Sequence, residues 1–478
     1  MGTSRILLTG ASVAANGKCG RGALLIVDDR IGGLWFPDEE GKAVFNGSPV
    51  PFGELPAAML SLWPDLQTRD LDGKVVMAGG IDAHVHFREP GMAWKGDLAS
   101  ESKAALLGGI TSFIDMPNTV PATTDILRLE EKCALADGRC AANWGFHIGA
   151  TNGNIGELKG LLSSGRGNEF CGIKVFMGSS TGNMLVDDNE ALDQIFQING
   201  CRILIHSEDE GIIKANLKAA SERYGDNIPF SEHPVIRSRT ACIKSTIKAL
   251  ETAMRYGTKL HVTHVTTAEE VEMIRTAKSY NPEITAETSV NYLWFCDEDY
   301  EKYGGRMKCN PAVKTARDRE ALRNAVKDGI IDTIGSDHAP HLPEEKDKPY
   351  ANCPSGIPSI EQELSVLLTI AGTEGIGLER VASLMSERAS GIFGIRGRGI
   401  LKEGNYADVI VIDPEKEFTV GENCGGASGI DYKCGWTPYS GTRLKGIAED
   451  VYLNGELVVD GGRLLNGTAG RRLVFEKP

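Results

Sequence analysis

The sequence predicts an α/β protein, a (β/α)8 barrel joined to a small β-sandwich domain built from the N- and C-terminal segments. Three observations predict it. Eight short apolar runs lie between residues 81 and 341, and helix-like stretches separate them. No GxGxxG follows the first run, which argues against an open doubly wound sheet. Strand-like texture with turn residues stands at both chain ends, outside that alternating region. The expected boundaries are 1–77 and 397–478 for the β-domain and 78–396 for the TIM-like barrel.

The elements follow in order. Residues 4–36 read as short strands, RILLTGASV and GALLIVDDRIGGLW, with turns at Asp28-Asp29 and Gly32-Gly33. Residues 37–70 are Pro- and Gly-rich and are expected to form an irregular surface excursion. The barrel strands are then IDAHVHF (81–87), TSFIDMPN (111–118), NWGFHIGAT (143–151) and GIKVFMG (172–178). RILIHSED (202–209), KLHVTHVTT (259–267), ITAETSVNYLWF (284–295) and DTIGSDHAPH (332–341) complete the set. Helices are expected over 99–109, 242–257 and 316–329, and a helical stretch near 377–393 ends the barrel. Strands return at 399–413 and 450–465.

Composition removes several function classes. The formal charge of −14 comes with no basic stripe, which argues against a nucleic-acid partner. It leaves an anionic substrate open, because a metal site and one arginine can reverse the local field. Eleven cysteines are scattered without a CxxC pair, as in a reduced, cytoplasmic protein. No apolar run approaches the ~18 residues of a spanning helix, so no membrane partner is expected. The N-terminal residues carry neither a charged n-region nor a long apolar h-region.

The chemistry is expected at the C-terminal ends of the barrel strands. In an extended strand His84 and His86 point to one side, and two neutral imidazoles there can hold a borderline metal such as Zn²⁺. Arg88, two residues on, supplies a guanidinium that can clamp an anion. Asn118, Lys174, His206, His264, Asn310, Asp337 and His341 fall at or just past the ends of successive strands. His206 and His264 end apolar strands and are candidate ligands. His261 and His338 alternate to the opposite face and read as packed, hydrogen-bonded side chains. His147 and His233, the latter in an expected loop, receive no role. Lys174 sits between Ile173 and Val175, where a free ammonium is expensive to bury. A depressed pKa, a carbamate formed with CO₂, or a snorkelling side chain would each answer that cost.

Read together, IDAHVHFREPG, GGITSFIDMPNT, GIKVFMGSSTGNMLVD, IHSEDE, HVTHVTT, KCNPAVK and SDHAPH resemble, in order, the cyclic amidohydrolases of the amidohydrolase superfamily. HFREPG, DMPNT and DHAPH bring the resemblance closest to the dihydroorotases with a carboxylated lysine. The resemblance implies two zinc ions per subunit, with His84, His86 and Asp337 on one, and His206 and His264 on the other. Carboxylated Lys174 would bridge them; Asp187 and Asp188 are the alternative bridge that some of these enzymes use. Asp337 is implied as general base and acid, and Arg88, Asn118 and His341 as the clamp on a substrate carboxylate. Asn310 matches a residue near the substrate ring. The implied reaction is the reversible hydrolysis of dihydroorotate to N-carbamoyl-L-aspartate in a homodimer. Dihydropyrimidinases, hydantoinases and allantoinases share the chemistry but not the arginine, and a non-catalytic scaffold would have lost ligands. One departure stands out: Asn291-Tyr292 replaces a segment that usually carries histidine.

Overall fold

The computed structural model of the chain describes residues 3–178, 184–421, 429–465 and 470–476. Residues 179–183, the SSTGN part of one motif above, lie outside that set. Eight parallel strands carry the barrel. They are β1 (Gly80–Val85), β2 (Ile110–Asp115), β3 (Asn143–Phe146, continued by Ile148–Gly149), β4 (Ile173–Phe176), β5 (Ile203–His206), β6 (Leu260–Val262), β7 (Thr285–Thr288) and β8 (Thr333–Ile334). Each pairs in parallel with the next in sequence. The ring closes where Val85 bridges His338 and the His86 N–H donates to the His338 carbonyl at 2.8 Å. Every residue of these strands is buried, as expected for a parallel sheet covered by helices.

The intervening helices start where the sequence supplies caps. Asp97, Thr267 and Thr315 each accept from the third backbone N–H of the helix they open, at Leu98–Leu107, Ala268–Tyr280 and Ala316–Lys327. The helix Arg388–Phe393 closes the lower end of the barrel, where Phe393 meets His147 and His261 edge-on.

Both chain ends meet in one seven-stranded sheet. Val75–Ala78 pairs in parallel with Ser12–Ala15 and antiparallel with Val409–Thr419, which continues into Arg443–Leu453. A four-stranded sheet of Arg30–Trp35, Ala23–Val27, Arg5–Thr9 and Gln67–Asp70 packs beside it around Leu8, Val13, Leu24, Ile26, Val76 and Val411.

Three expectations are corrected. Residues 37–70 are ordered: the hairpin Lys42–Phe45/Ser48–Pro51 and the helix Leu55–Leu62 cover Leu7 and Leu25 through Phe45, Phe52, Leu55 and Met59. Their apolar residues are too widely spaced to show periodicity, yet they bury the second face of the small sheet. The seventh strand stops at Thr288, because Ser289 caps a short helix, Val290–Trp294. His233 is not in a loop; it opens the helix His233–Ile236 fully buried, with its ring nitrogens 2.8 Å from the Tyr350 hydroxyl and the Cys309 carbonyl. Among the described residues no helix is long and apolar enough to cross a membrane.

Candidate active site

A cavity opens at the C-terminal mouth of the barrel, lined by His84, His86, Arg88, Lys174, Phe176, His206, His264, Asn310, Asp337, Ala339, Ser355 and Gly356. The polar members come from β1, β4, β5 and the loops that follow β1, β6, β7 and β8. Three of them, Arg88, His264 and Asp337, are non-glycine residues held at left-handed φ of 69°, 39° and 49°. Such backbone persists only where the surrounding structure over-determines it, and it clusters at functional sites.

The protonation pattern of the imidazoles follows from their outer partners. His84 Nδ1 lies 2.6 Å from Glu287 Oε1, so it carries the proton and its Nε2 lone pair faces the cavity. His86 Nδ1 lies 2.8 Å from the Asn118 Oδ1, with the same consequence. His206 is turned round: Nε2 meets Glu208 Oε2 at 2.9 Å, and Nδ1 faces His264 Nε2 at 2.9 Å. Arg237 in turn pairs with Glu208. Burial holds His86 down at about 4 and His264 well below the ordinary imidazole value, so both rings are neutral.

These lone pairs meet a carboxylate rather than a donor. Asp337 Oδ1 is 3.4 Å from His84 Nε2 and 3.1 Å from His86 Nε2. Three acceptors facing one another without a hydrogen between them call for a cation. Their spacing brackets the roughly 3.3 Å that separates ligands held about 2.0 Å from a tetrahedral ion. His84, His86 and Asp337 therefore fit a metal, and their ligand atoms all lie within 4.8 Å of one another. Lys174 reaches the same space, its Nζ donating to Thr263 Oγ1 at 3.0 Å. Burial lowers its ammonium to about 8, against the pull of Glu287 and Asp337.

Donors gather around Arg88 in the same lining. Arg88 is buried, its Nε donating to the Pro340 carbonyl at 3.1 Å, and its Nη2 lies 3.0 Å from His341 Nε2. Lys95 Nζ lies 3.0 Å from the other nitrogen of that ring.

Eight of the ten residues singled out from sequence line the cavity. Asn118 touches His86 and His341 touches Arg88, each one shell behind the wall. Asp187 accepts from Asn152, and Asp188 caps the helix Asn189–Phe196, so neither faces Lys174. His261 and His338 are buried and hydrogen-bonded, to Thr285 and Glu101 respectively. Asn291 binds the Ser336 carbonyl and the Tyr439 hydroxyl, outside the cavity lining. Sequence reasoning missed Glu287, Glu208, Arg237 and Lys95. Glu287 had a signal, an acid inside the expected strand 284–295. Lys95 had none.

Comparison with known proteins places the chain. A profile described as "Amidohydrolase family" matches residues 75–458. The chain belongs to the amidohydrolase family. A dihydroorotase of Methanosarcina mazei is 36% identical over 384 residues, 78% of this chain and 81% of that one. An allantoinase of Rubrobacter xylanophilus is 32% identical over 450 residues, 90% and 95% of the two chains. The L-hydantoinase (dihydropyrimidinase) of Arthrobacter aurescens has the same fold, with a TM-score of 0.86 at 24% identity over 98% of this amidohydrolase and 99% of that one.

Proposed function

We propose that this amidohydrolase is a zinc-dependent dihydroorotase, opening the cyclic amide of (S)-dihydroorotate to N-carbamoyl-L-aspartate and closing it in reverse. One observation carries the choice of substrate: the buried guanidinium of Arg88 in the lining of the same cavity as the convergent lone pairs. Dihydroorotate carries a carboxylate on the ring carbon one methylene away from its scissile carbonyl, and a fixed planar cation is the group that recognises one. Relatives named dihydroorotase support the same reading.

His84, His86 and Asp337 would hold one zinc ion, His206 and His264 the second, and carboxylated Lys174 would join them. Ions held there would supply Lewis acidity toward the ring amide and the attacking water. The chain's own residues do the rest. Asp337 accepts a proton from the water and returns it to the leaving ring nitrogen. Glu287, Asn118 and Glu208 keep the imidazoles in the tautomers that present lone pairs inward. Arg88 orients the carboxylate, with Asn310 beside the ring. Near pH 8 a substantial share of Lys174 is the neutral amine that addition to CO₂ requires.

A second reading is an allantoinase, favoured by the longer span of the Rubrobacter relative. Allantoin bears a neutral ureido group where dihydroorotate bears a carboxylate. Turnover on dihydroorotate, allantoin, hydantoin and dihydrouracil, with zinc counted per chain, separates the two. Dihydroorotate should win by about 10²-fold in kcat/KM, the equivalent of one or two charge-assisted hydrogen bonds. Preference for an uncharged ring would overturn the dihydroorotase reading.

A further inference from the structure

We propose that Lys95 is a positioning residue for carboxylate recognition: it claims the only lone pair of His341, and so leaves an N–H of Arg88 free for the substrate anion. The inference rests on the dihydroorotase reading for the identity of that anion. Its structural half stands on His341 alone.

His341 is buried, and three groups compete for its two ring nitrogens. Arg88 Nη2 lies 3.0 Å and the Ser355 carbonyl oxygen 3.1 Å from Nε2, while Lys95 Nζ lies 3.0 Å from Nδ1. The ring is neutral, because burial and the charges of Arg88, Lys346 and Lys95 hold its pKa far below the ordinary value. A neutral imidazole has one N–H and one lone pair, whereas guanidinium and ammonium are donors only. Both cations therefore cannot be satisfied at once.

The two tautomers are unequal. With the proton on Nδ1, Arg88 finds an acceptor, but Nδ1–H points at the Lys95 ammonium and the Ser355 carbonyl loses its donor. With the proton on Nε2, Lys95 donates to Nδ1 and Nε2–H donates to Ser355. Only Arg88 Nη2 is then left without an acceptor at this point. The second arrangement makes two hydrogen bonds against one, and moves the contact between donors from Lys95 to Arg88 Nη2.

The guanidinium left short of that acceptor sits where a ligand can reach. Arg88 lines the cavity and Lys95 does not. The guanidinium cannot turn away, since its Nε is tied to the Pro340 carbonyl at 3.1 Å. Lys95 is fixed as well: Glu345 Oε1 binds its ammonium at 2.8 Å, and Glu345 Oε2 accepts from the Leu342 N–H beside His341. An arriving carboxylate oxygen would fill the vacancy that this hydrogen-bond arithmetic creates, and an uncharged ring would gain far less.

The test uses the full-length, zinc-loaded protein with ¹⁵N-labelled histidine, the His341 signals being assigned by their loss in His341→Gln. The wild type should show His341 protonated on Nε2, and Lys95→Met should move it toward the Nδ1–H form. Kinetically, Lys95→Met should raise KM for dihydroorotate about 10-fold with kcat changed by less than about 2-fold, while Lys95→Arg restores most of the loss. Turnover of dihydrouracil should respond much less. A wild-type His341 protonated on Nδ1 overturns the proposal, even if Lys95→Met fails to fold. So does a folded Lys95→Met variant with unchanged tautomer and unchanged KM. A wild type with the Nε2–H form that hydrolyses allantoin and not dihydroorotate upholds the hold of Lys95 on His341, and sinks the substrate reading instead.

Discussion

The two walls of the cavity are chemical opposites. On the floor, His84 and His86 turn lone pairs toward Asp337 at 3.4 and 3.1 Å, and His206 Nδ1 meets His264 Nε2 at 2.9 Å. On the rim stands the Arg88 guanidinium, and behind it His341 has Arg88 Nη2 at 3.0 Å from one ring nitrogen and Lys95 Nζ at 3.0 Å from the other. Convergent acceptors need a cation, and convergent donors need an anion. The floor is therefore the part suited to chemistry common to the family, and the rim the part suited to choosing a substrate. Variants on the two walls should fail in different ways.

The largest effect should come from the floor. Lys174→Ala removes the group that the proposed centre uses as its bridge, and it should lose most of its zinc and nearly all turnover. Zinc added with a small carboxylic acid should restore part of both, because the acid can occupy the space left by the side chain. Full activity with two zinc ions in the alanine variant would mean that Lys174 only fills space. Asp337→Asn comes next. It keeps the shape and one ligand oxygen but removes the proton acceptor, so both directions should slow by at least ~10²-fold while much of the zinc remains. Near-normal rates in that variant would strike Asp337 from the mechanism.

The rim variant should break selection and leave the floor intact. Arg88→Met should lower kcat/KM for dihydroorotate by about 10²-fold, since an unpaired carboxylate in a closed site loses a charge-assisted hydrogen bond worth roughly 1.5–3 kcal/mol. Zinc content should hold, and any turnover of dihydrouracil should be spared. Equal losses on charged and uncharged rings would assign Arg88 to the support of its loop.

The difference between the walls also explains what could be read from the chain. The (β/α)8 barrel was legible because each strand is an apolar run and each helix a capped stretch, both local properties. His84, His86, Lys174 and His264 stand out because a polar residue within or just past an apolar strand breaks a local pattern. Lys95 breaks none: it lies in a loop, and its partner His341 is 246 positions away. The order in residues 37–70 was hidden for a similar reason, since Phe45, Phe52, Leu55 and Met59 gain their meaning only against Leu7 and Leu25.

The smallest predicted effect tests whether the floor owes its acceptors to a partner behind the wall. Glu287 Oε1 takes the His84 Nδ1 proton at 2.6 Å, and its second oxygen lies 3.6 Å from His261 Nε2. Burial pushes the Glu287 carboxyl up, but its interactions with the His84 and His261 rings, hydrogen bonds included, outweigh that and hold the group ionised. That negative charge makes His84 a stronger donor to a metal than a neutral partner would. Glu287→Gln keeps the volume and an oxygen that can still accept, so the tautomer survives and only the charge is lost. Zinc affinity, measured by competition with a chelator, should fall by about 10-fold, the low end for an outer partner of a ligating histidine. At saturating zinc the rate should stay within about 3-fold of wild type, and KM for dihydroorotate should not move. Unchanged affinity would show that His84 holds its lone pair inward without help. A raised KM would mean that the two walls are coupled through β7 rather than separable.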